Sequence, residues 1–318
     1  MRLRSRQSQR GVAIVTALLL TTLAVTIVGS LFWQQQVQVR SIENQRMQLQ
    51  KQWILRGALD WAQLILRADG AMTAEDHLGE PWAVPLAETR LDEYVDNPRA
   101  NPEASDAVLS GSIVDAQSRF NLNNLAANGT INPQELAAFR RLLVNLGLNA
   151  GLAQAAADLV AAGQRAPGGQ GAAGGQQAAG GAQMRVEHVD DLLAAPGFTP
   201  DIVARLSEFV VVLPDLRAIN VNTAPAEVLS ARIERLSMSD AAALVAAREN
   251  AWFRSTNEFV DRLRQMGMGG AAVQHIDVRT EYFLINGHVR MSRAAMDMQA
   301  LIRRPGRAEP SLIWIREY

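Results

Sequence analysis

Val12 to Trp33 reads VAIVTALLLTTLAVTIVGSLFW, 22 consecutive residues without Asp, Glu, Lys or Arg. No other feature restricts the chain so strongly. As a helix rising ~1.5 Å per residue the run measures ~33 Å, enough to cross a bilayer core of about 30 Å. In hydrocarbon every backbone N–H and C=O must be satisfied within the segment, and a single segment manages that only as a helix. Arg2, Arg4, Arg6 and Arg10 precede it. Such a basic flank keeps the short N-terminus in the cytoplasm and sends the rest across. A secretory signal would have a shorter apolar region and then a small-residue cleavage site. Here a polar, helix-friendly stretch follows instead, so the segment reads as a single-pass anchor.

The remainder reads as folded. With 48% hydrophobic and 20% charged residues the chain is globular rather than disordered, and 318 residues allow two domains besides the anchor. The net charge is −1. Without the four leading arginines, 27 basic residues face 32 acidic ones, which argues against a general nucleic-acid binder. There is no cysteine, so disulfides, thiol catalysis and Cys-ligated zinc are excluded.

From Gln34 to Ala68 there is no proline, and glycine occurs only at Gly57, so the first helix should continue. Ile42, Leu49, Trp53, Gly57, Trp61, Leu64 and Ala68 recur at spacings of three, four and seven. They predict one apolar stripe, covered by a domain from Trp53 onward. Gln45, Gln48, Gln52, Arg56 and Gln63 form the polar side. The helix should stop at Asp69-Gly70. Trp82 to Leu86 predicts an edge strand, since it contains Pro85. Asp96 to Asp106 reads as a loop. Ala107 to Ala116 predicts a strand with Gly111 as a bulge.

Helices follow. Asn132-Pro133-Gln134-Glu135 has the cap, first-turn proline and acid of a helix start, and Gly147 closes that helix. A second, alanine-rich helix covers about Ala150 to Ala162. Gly163 to Gln183 is low in complexity and reads as a surface loop; a phosphate cradle would need a preceding strand and a following Lys-Ser/Thr. Ala241 to Arg248 and Phe253 to Leu263 read as further helices, with a capping pattern from Ser255 to Glu258. At the C-terminus Asn286-Gly287 lies between apolar runs and predicts a hairpin turn. Arg293 to Arg303 and Leu312 to Arg316 add strands. Two strand blocks thus flank a helical block, which predicts one sheet packed on the long helix with an α-domain inserted between its strands.

Several motifs carry a resemblance. Arg10-Gly11-Val12-Ala13-Ile14-Val15-Thr16 resembles the cleavage site of type IV prepilins and type II secretion pseudopilins. Carried over, a prepilin peptidase cuts after Gly11 and methylates the new amine of Val12. The family usually has Glu where this chain has Thr16. That carboxylate neutralises a neighbouring subunit's terminal amine inside the membrane, where an isolated charge is costly. A subunit without it suits a filament tip, and within the family this points to minor pseudopilin K. Phe120-Asn121-Leu122-Asn123 resembles the segment that enters that family's inserted helical domain. Asp190-Asp191-Leu192 running to Pro196-Gly197-Phe198 resembles its "EL-x-x-x-PGF" segment. Ile219-Asn220-Val221-Asn222-Thr223-Ala224 resembles its "INVNTA" segment, where Thr223 is expected to cap the following helix and Pro225 to sit in its first turn.

The resemblance implies a pilin-like α+β fold, a long N-terminal helix on an antiparallel sheet, with a large inserted all-α, SAM-like domain. The expected divisions are leader 1–11, transmembrane segment 12–33, remaining helix 34–69, first strands 70–117, inserted domain 118–275 with its Gly/Ala/Gln-rich loop 163–183, and final strands 276–318. It implies a non-enzymatic minor pseudopilin of a type II secretion system, at the pseudopilus tip, priming assembly and supporting export of folded proteins across the outer membrane. Implied partners are minor pseudopilins of the I and J types, the major pseudopilin filament, the prepilin peptidase and secreted substrates, with no nucleic acid. Implied location is the bacterial inner membrane, single-pass, with the C-terminal domain in the periplasm.

The family's calcium loop departs here. Ala157-Asp158-Leu159-Val160 keeps Asp158 without the usual aromatic residue or later acids. Glu187, Asp190 and Asp191 lie downstream, most simply as helix-start acids. Calcium takes about six to eight oxygen ligands. No cofactor is therefore required, and Asp158, Glu187, Asp190 and Asp191 are the calcium candidates.

Catalytic patterns are absent: His77, His188, His275 and His288 are scattered, and there is no G-x-S-x-G, H-E-x-x-H or P-loop. Asn128-Gly129-Thr130 matches a sequon but reads as a turn. One alternative comes from helix-hairpin-helix modules, which share the "INxNTA" entry and would make the chain a membrane-anchored, competence-type DNA-binding protein. Those modules grip phosphate with a glycine-bearing hairpin. The corresponding turn here, Ile233 to Asp240, has no glycine and two acids.

Overall fold

The computed structural model describes residues 10–91, 107–165, 185–268, 270, 273–291 and 294–318. A single helix, α1 (Arg10–Met72), dominates it, ~95 Å long at ~1.5 Å per residue. Among the described residues it is the one helix long and apolar enough to cross a membrane. Thr16, Thr21, Thr22 and Thr26 donate their hydroxyls to carbonyls a turn back, so these polar groups are satisfied inside the apolar run. The helix ends just beyond Gly70, where Thr73 N–H donates to the Asp69 carbonyl.

The lower half of α1 lies on a five-stranded sheet: β1 (Leu86–Arg90), β2 (Ala107–Asp115), β3 (Tyr282–Met291), β4 (Ala294–Arg303) and β5 (Ser311–Glu317). The strands are neighbours in that order and every pairing is antiparallel. Asp115 pairs with Phe283, so everything from 116 to 281 leaves and re-enters the sheet between two adjacent strand ends.

The face under α1 is apolar along its length, whereas the opposite face is apolar only at the end that meets the insert and farther out carries Asn286, His288, Arg290, Asp297 and Gln299. Under α1 lie Leu109, Phe283, Ile285, Val289, Met296, Met298, Ala300 and Ile302, packed on Leu55, Leu59, Ala62 and Leu66. On the other face Tyr282, Leu284 and Leu301 pack against Ala116, Val211 and Leu213 of the insert. The insert has its own core and six helices among the described residues: α2 (Pro133–Asn145), α3 (Leu152–Gln164), α4 (Pro200–Leu206), α5 (Ala226–Arg232), α6 (Met238–Asn250) and α7 (Thr256–Gln265). Local signals place several of them. Asn132 Oδ1 accepts from Gln134 and Glu135 N–H, and Gly147 follows α2 at φ +67°. Ser255 caps α7 through Glu258 N–H. Asn128 (φ +51°) and Gly129 (φ +78°) make the expected turn.

Four sequence expectations are corrected. The stripe Ile42, Leu49, Trp53, Gly57, Trp61, Leu64 and Ala68 is not the face that meets the sheet; it is exposed, with Trp53 at 74%. The helix carries a second apolar face, Leu55, Leu59, Ala62 and Leu66, and that one is buried.

Asn286-Gly287 is not a hairpin turn. It lies mid-strand in β3, and the chain reverses between Met291 and Ala294. Gly287 is closely crowded there, since a Cβ would stand 3.1 Å from Leu55 Cδ2 and 3.2 Å from Met298 Cε, so both side chains would have to give way to a larger residue. The edge strand starts at Leu86, after Pro85; Trp82 belongs to a one-turn 3-10 helix and is buried, its indole N–H donating to Glu80 at 2.8 Å. Gly111 is not bulged, because the β2–β3 register runs through it unbroken. The irregularity is in β1, between Leu86 and Thr89. The loop 96–106 and nearly all of the low-complexity loop lie outside the described residues.

Candidate functional site

Two motif groups, at Asn121 and Asn220, tie distant segments together, and the second sits at the joint where α1, the sheet and the insert meet. Asn121 heads the first group. Its Oδ1 accepts from Asn123 N–H (3.2 Å) and Leu213 N–H (3.0 Å), and its Nδ2 donates to Asn124 Oδ1 and the Asp215 carbonyl. Asn123 Nδ2 donates to the Leu213 carbonyl at 2.6 Å, and Asn124 exchanges two bonds with the Arg217 backbone. Phe120 and Leu122 are buried in the insert core. The asparagines do more than satisfy local turns: they fasten residues 213–217, about ninety positions away, in a place where unpaired backbone groups would be costly.

Asn220 heads the second group and is fully buried. Its Nδ2 lies within hydrogen-bond distance of the Asp76 carbonyl (3.0 Å), Asp115 Oδ2 (2.9 Å) and Thr280 Oγ1 (3.1 Å), while Oδ1 accepts from Asn222 N–H. Asn222 closes a two-bond ring with the Phe253 backbone. Thr223 does not cap a helix. Its hydroxyl donates to Asp115 Oδ2 at 2.5 Å, and α5 begins after Pro225. Ala224 is buried in the insert core. Asp115 therefore closes the insert: it ends β2, takes bonds from Thr223 and Thr280, and holds Gln117 N–H on its other oxygen at 2.7 Å. Complete burial pushes its carboxyl up to about 6, against the pull of the Thr223 and Thr280 hydroxyls.

Behind this lies an ionic group. Arg304, buried at the end of β4, donates to Asp69 Oδ2 at 2.6 Å and to Asp76 Oδ1, and stands over the Phe283 ring. Asp76 also takes Thr280 N–H at 2.7 Å. Burial, then the nearby Glu80 charge, push Asp69 up to about 6; burial likewise raises Asp76. Asp69, Asp76 and Glu80 gather carboxylate oxygens within 4.8 Å of one another, and the Arg304 guanidinium supplies the positive charge among them. None of Asp69, Asp76, Asp115, Thr280 and Arg304 belongs to a legible motif; a single sequence offers no signal that these scattered positions meet.

The calcium candidates do not come together. Asp158 accepts from Gln154, Asp190 reaches Arg316, and Asp191 accepts from Glu187 and His188 N–H at the start of a 3-10 turn, the helix-start role expected for it. Glu187 takes part only through its backbone there. Gly197 sits at φ +88° against Leu152, and Phe198 is buried. Gly11 and Val12 lie in the first turn of α1, and Thr16 turns its hydroxyl back onto the helix. The histidines are apart: His77 stacks on Trp252, His188 meets Trp314, His275 bonds Glu135 and His288 bonds Asp297. In the hairpin-like turn, Arg235 takes φ +70° and Ser237 caps α6 through Asp240 N–H.

Residues 118–215 and 219–279 each match the family described as Type II secretion system (T2SS), protein K. The chain is 32% identical over 301 residues to a type II secretion system protein K of Pseudomonas aeruginosa, spanning 90% of this chain and 86% of that one. It is 27% identical over 327 residues to a protein of the same description from Pectobacterium carotovorum subsp. carotovorum, spanning 95% and 94%. Among solved structures it is similar to a chain in the crystal structure of the GspK-GspI-GspJ complex of enterotoxigenic Escherichia coli, with a TM-score of 0.65 and 20% identity over 87% of this chain and 98% of that one. That likeness carries the pilin-like fold. Nothing in these matches favours the DNA-binding alternative.

Proposed function

This chain belongs to the type II secretion system protein K family, and from that membership we propose that it caps the tip of a periplasmic pseudopilus as its K-type minor pseudopilin. A peptidase removes residues 1–11 and methylates Val12. The helix from Val12 to Trp33 holds the chain in the inner membrane with the sheet and insert in the periplasm. Thr16 stands where a neighbour-pairing Glu would be, consistent with a subunit that carries none above it. The insert, joined beside α1, supplies bulk that obstructs further addition. Partners are I-type and J-type minor pseudopilins; the related E. coli chain was crystallised as GspK-GspI-GspJ.

One observation carries this reading. Below the membrane segment α1 keeps an exposed apolar stripe opposite its buried face, Leu49, Trp53 and Leu64, each more than half exposed, with Trp61 half exposed at the rim of the cleft between α1 and the sheet. A stable monomer has no use for such a stripe, and neighbouring helices would cover it. The test is the mass of the N-terminal peptide from membrane-extracted protein, with and without the prepilin peptidase, followed by pull-down of I-type and J-type partners. A methylated peptide beginning at Val12 only when the peptidase is present, with both partners captured, is expected. An N-terminus at Met1 in both strains would refute the processing, and failure to capture either partner would refute the tip assembly.

A further inference from the structure

The joint holds four buried carboxyl groups, Asp69, Asp76, Glu80 and Asp115, none more than 6% exposed. Arg304 is the one cation in contact with them among the described residues, and it reaches only Asp69 and Asp76. Glu80 Oε2 takes His77 N–H and the Trp82 indole, yet its Oε1 is buried without a partner. Asp115 is felt by Arg119 and Arg248, but Arg119 donates to the Ser207 carbonyl and Arg248 to the Val221 carbonyl rather than to the acid. The His77 ring turns away and stacks on Trp252 at 3.8 Å. Asn220, Thr223 and Thr280 complete the surroundings and are neutral. Buried anions thus outnumber the cations that touch them. Such an imbalance is relieved when a carboxylate neutralises.

We propose that this joint is a proton-sensitive fastening, which takes up protons at Asp115 and in the Asp69 group and seats the insert more firmly on the sheet as the surroundings acidify. The geometry makes the effect mechanical. Asp115 ends β2, Thr280 leads into β3, and Asp76 follows α1, so each carboxylate lies between two bodies rather than within one. Thr280 and Asn220 touch both Asp76 and Asp115 and link the two groups.

The sign follows from linkage. With a carboxyl at about 6 in the folded chain and 3.8 in the unfolded one, the folded state binds more protons between those values. Stability from this source is full below about pH 4 and is lost as pH rises through about 6. From pH 7.5 to pH 5 Asp115 alone favours the folded state about tenfold.

The chain has no cysteine, which permits clean labelling. Full-length protein in detergent would carry spin labels at Asp60→Cys on α1 and Asp201→Cys on α4, both exposed, with distance distributions recorded by electron paramagnetic resonance at pH 7.5 and 5. Urea unfolding would be followed in parallel. The distribution should narrow at pH 5 and the unfolding equilibrium should shift about tenfold or more toward the folded state. Asp115→Asn should lose its share of that pH dependence. Glu80→Gln, which removes a charge that raises Asp69 while leaving Asp115 in place, should shrink the response without abolishing it. Identical distributions at both pH values, or variants that keep the full response, would overturn the proposal. Narrowing by calcium at pH 7.5 that a chelator reverses would also overturn it, since a metal ion would then supply the missing charge.

Discussion

Asn220→Ala tests the joint most directly. Asn220 is fully buried and spans three bodies: the segment after α1 through Asp76, the end of β2 through Asp115, and the lead into β3 through Thr280. Alanine removes four contacts between 2.9 and 3.1 Å and leaves the Asp76 carbonyl and Asn222 N–H with fewer partners. A neutral buried bond contributes about 0.5–1.5 kcal/mol and one to a charged group about 1.5–3 kcal/mol. Asp115 keeps Thr223, Thr280 and Gln117, so its loss is partial. The sum is about 3–5 kcal/mol, near the upper end for a single substitution. Urea unfolding of the full chain in detergent would read it. Asn220→Asp sharpens the test, because it puts a second carboxylate where Asn220 now donates to Asp115. It should cost more than alanine at pH 7.5 and less of that excess should remain at pH 5. A loss below about 1 kcal/mol for alanine, or an aspartate variant indifferent to pH, would refute the account of Asn220 as the fastening.

Gly287→Val should destabilise by about 1–3 kcal/mol in the same unfolding assay, because its side chain must displace Leu55 or Met298 beneath α1. Arg304→Met should cost about 3–5 kcal/mol, since it strands Asp69 and Asp76 buried without their cation; a circular dichroism melt would detect it. Trp53→Glu, on the exposed face of α1, should leave unfolding within about ±0.5 kcal/mol while reducing capture of partner pseudopilins in a pull-down.

What was legible in the chain was local. The Asn132 cap, the Ser255 to Glu258 pattern and the Asn128-Gly129 turn depend on residues a few positions apart, and each formed as expected. The misreadings came where context overrode a local signal. Asn286-Gly287 has the chemistry of a hairpin turn, yet it lies within the middle strand, because pairing with both neighbouring strands runs through it and a small residue packs there beneath Leu55 and Met298. The apolar periodicity of α1 was sound, but a helix with two apolar faces does not reveal which one meets its own sheet.

By itself the sequence determined the membrane-length helix, the division into strands around a helical insert, and the motifs that carry the family resemblance. Each follows from hydropathy, periodicity or short-range chemistry. Only the tertiary structure decided what the motifs do. Asn121 and Asn220 are fasteners because chain closure brings Leu213, Asp76, Asp115 and Thr280 to them across roughly ninety or more residues, except where Thr280 lies sixty away. The same closure gathers Asp69, Asp76, Glu80 and Arg304 into one buried group. Burial then turns ordinary surface-type residues into a charge imbalance, and burial is a property of the packed chain, not of any residue read in order.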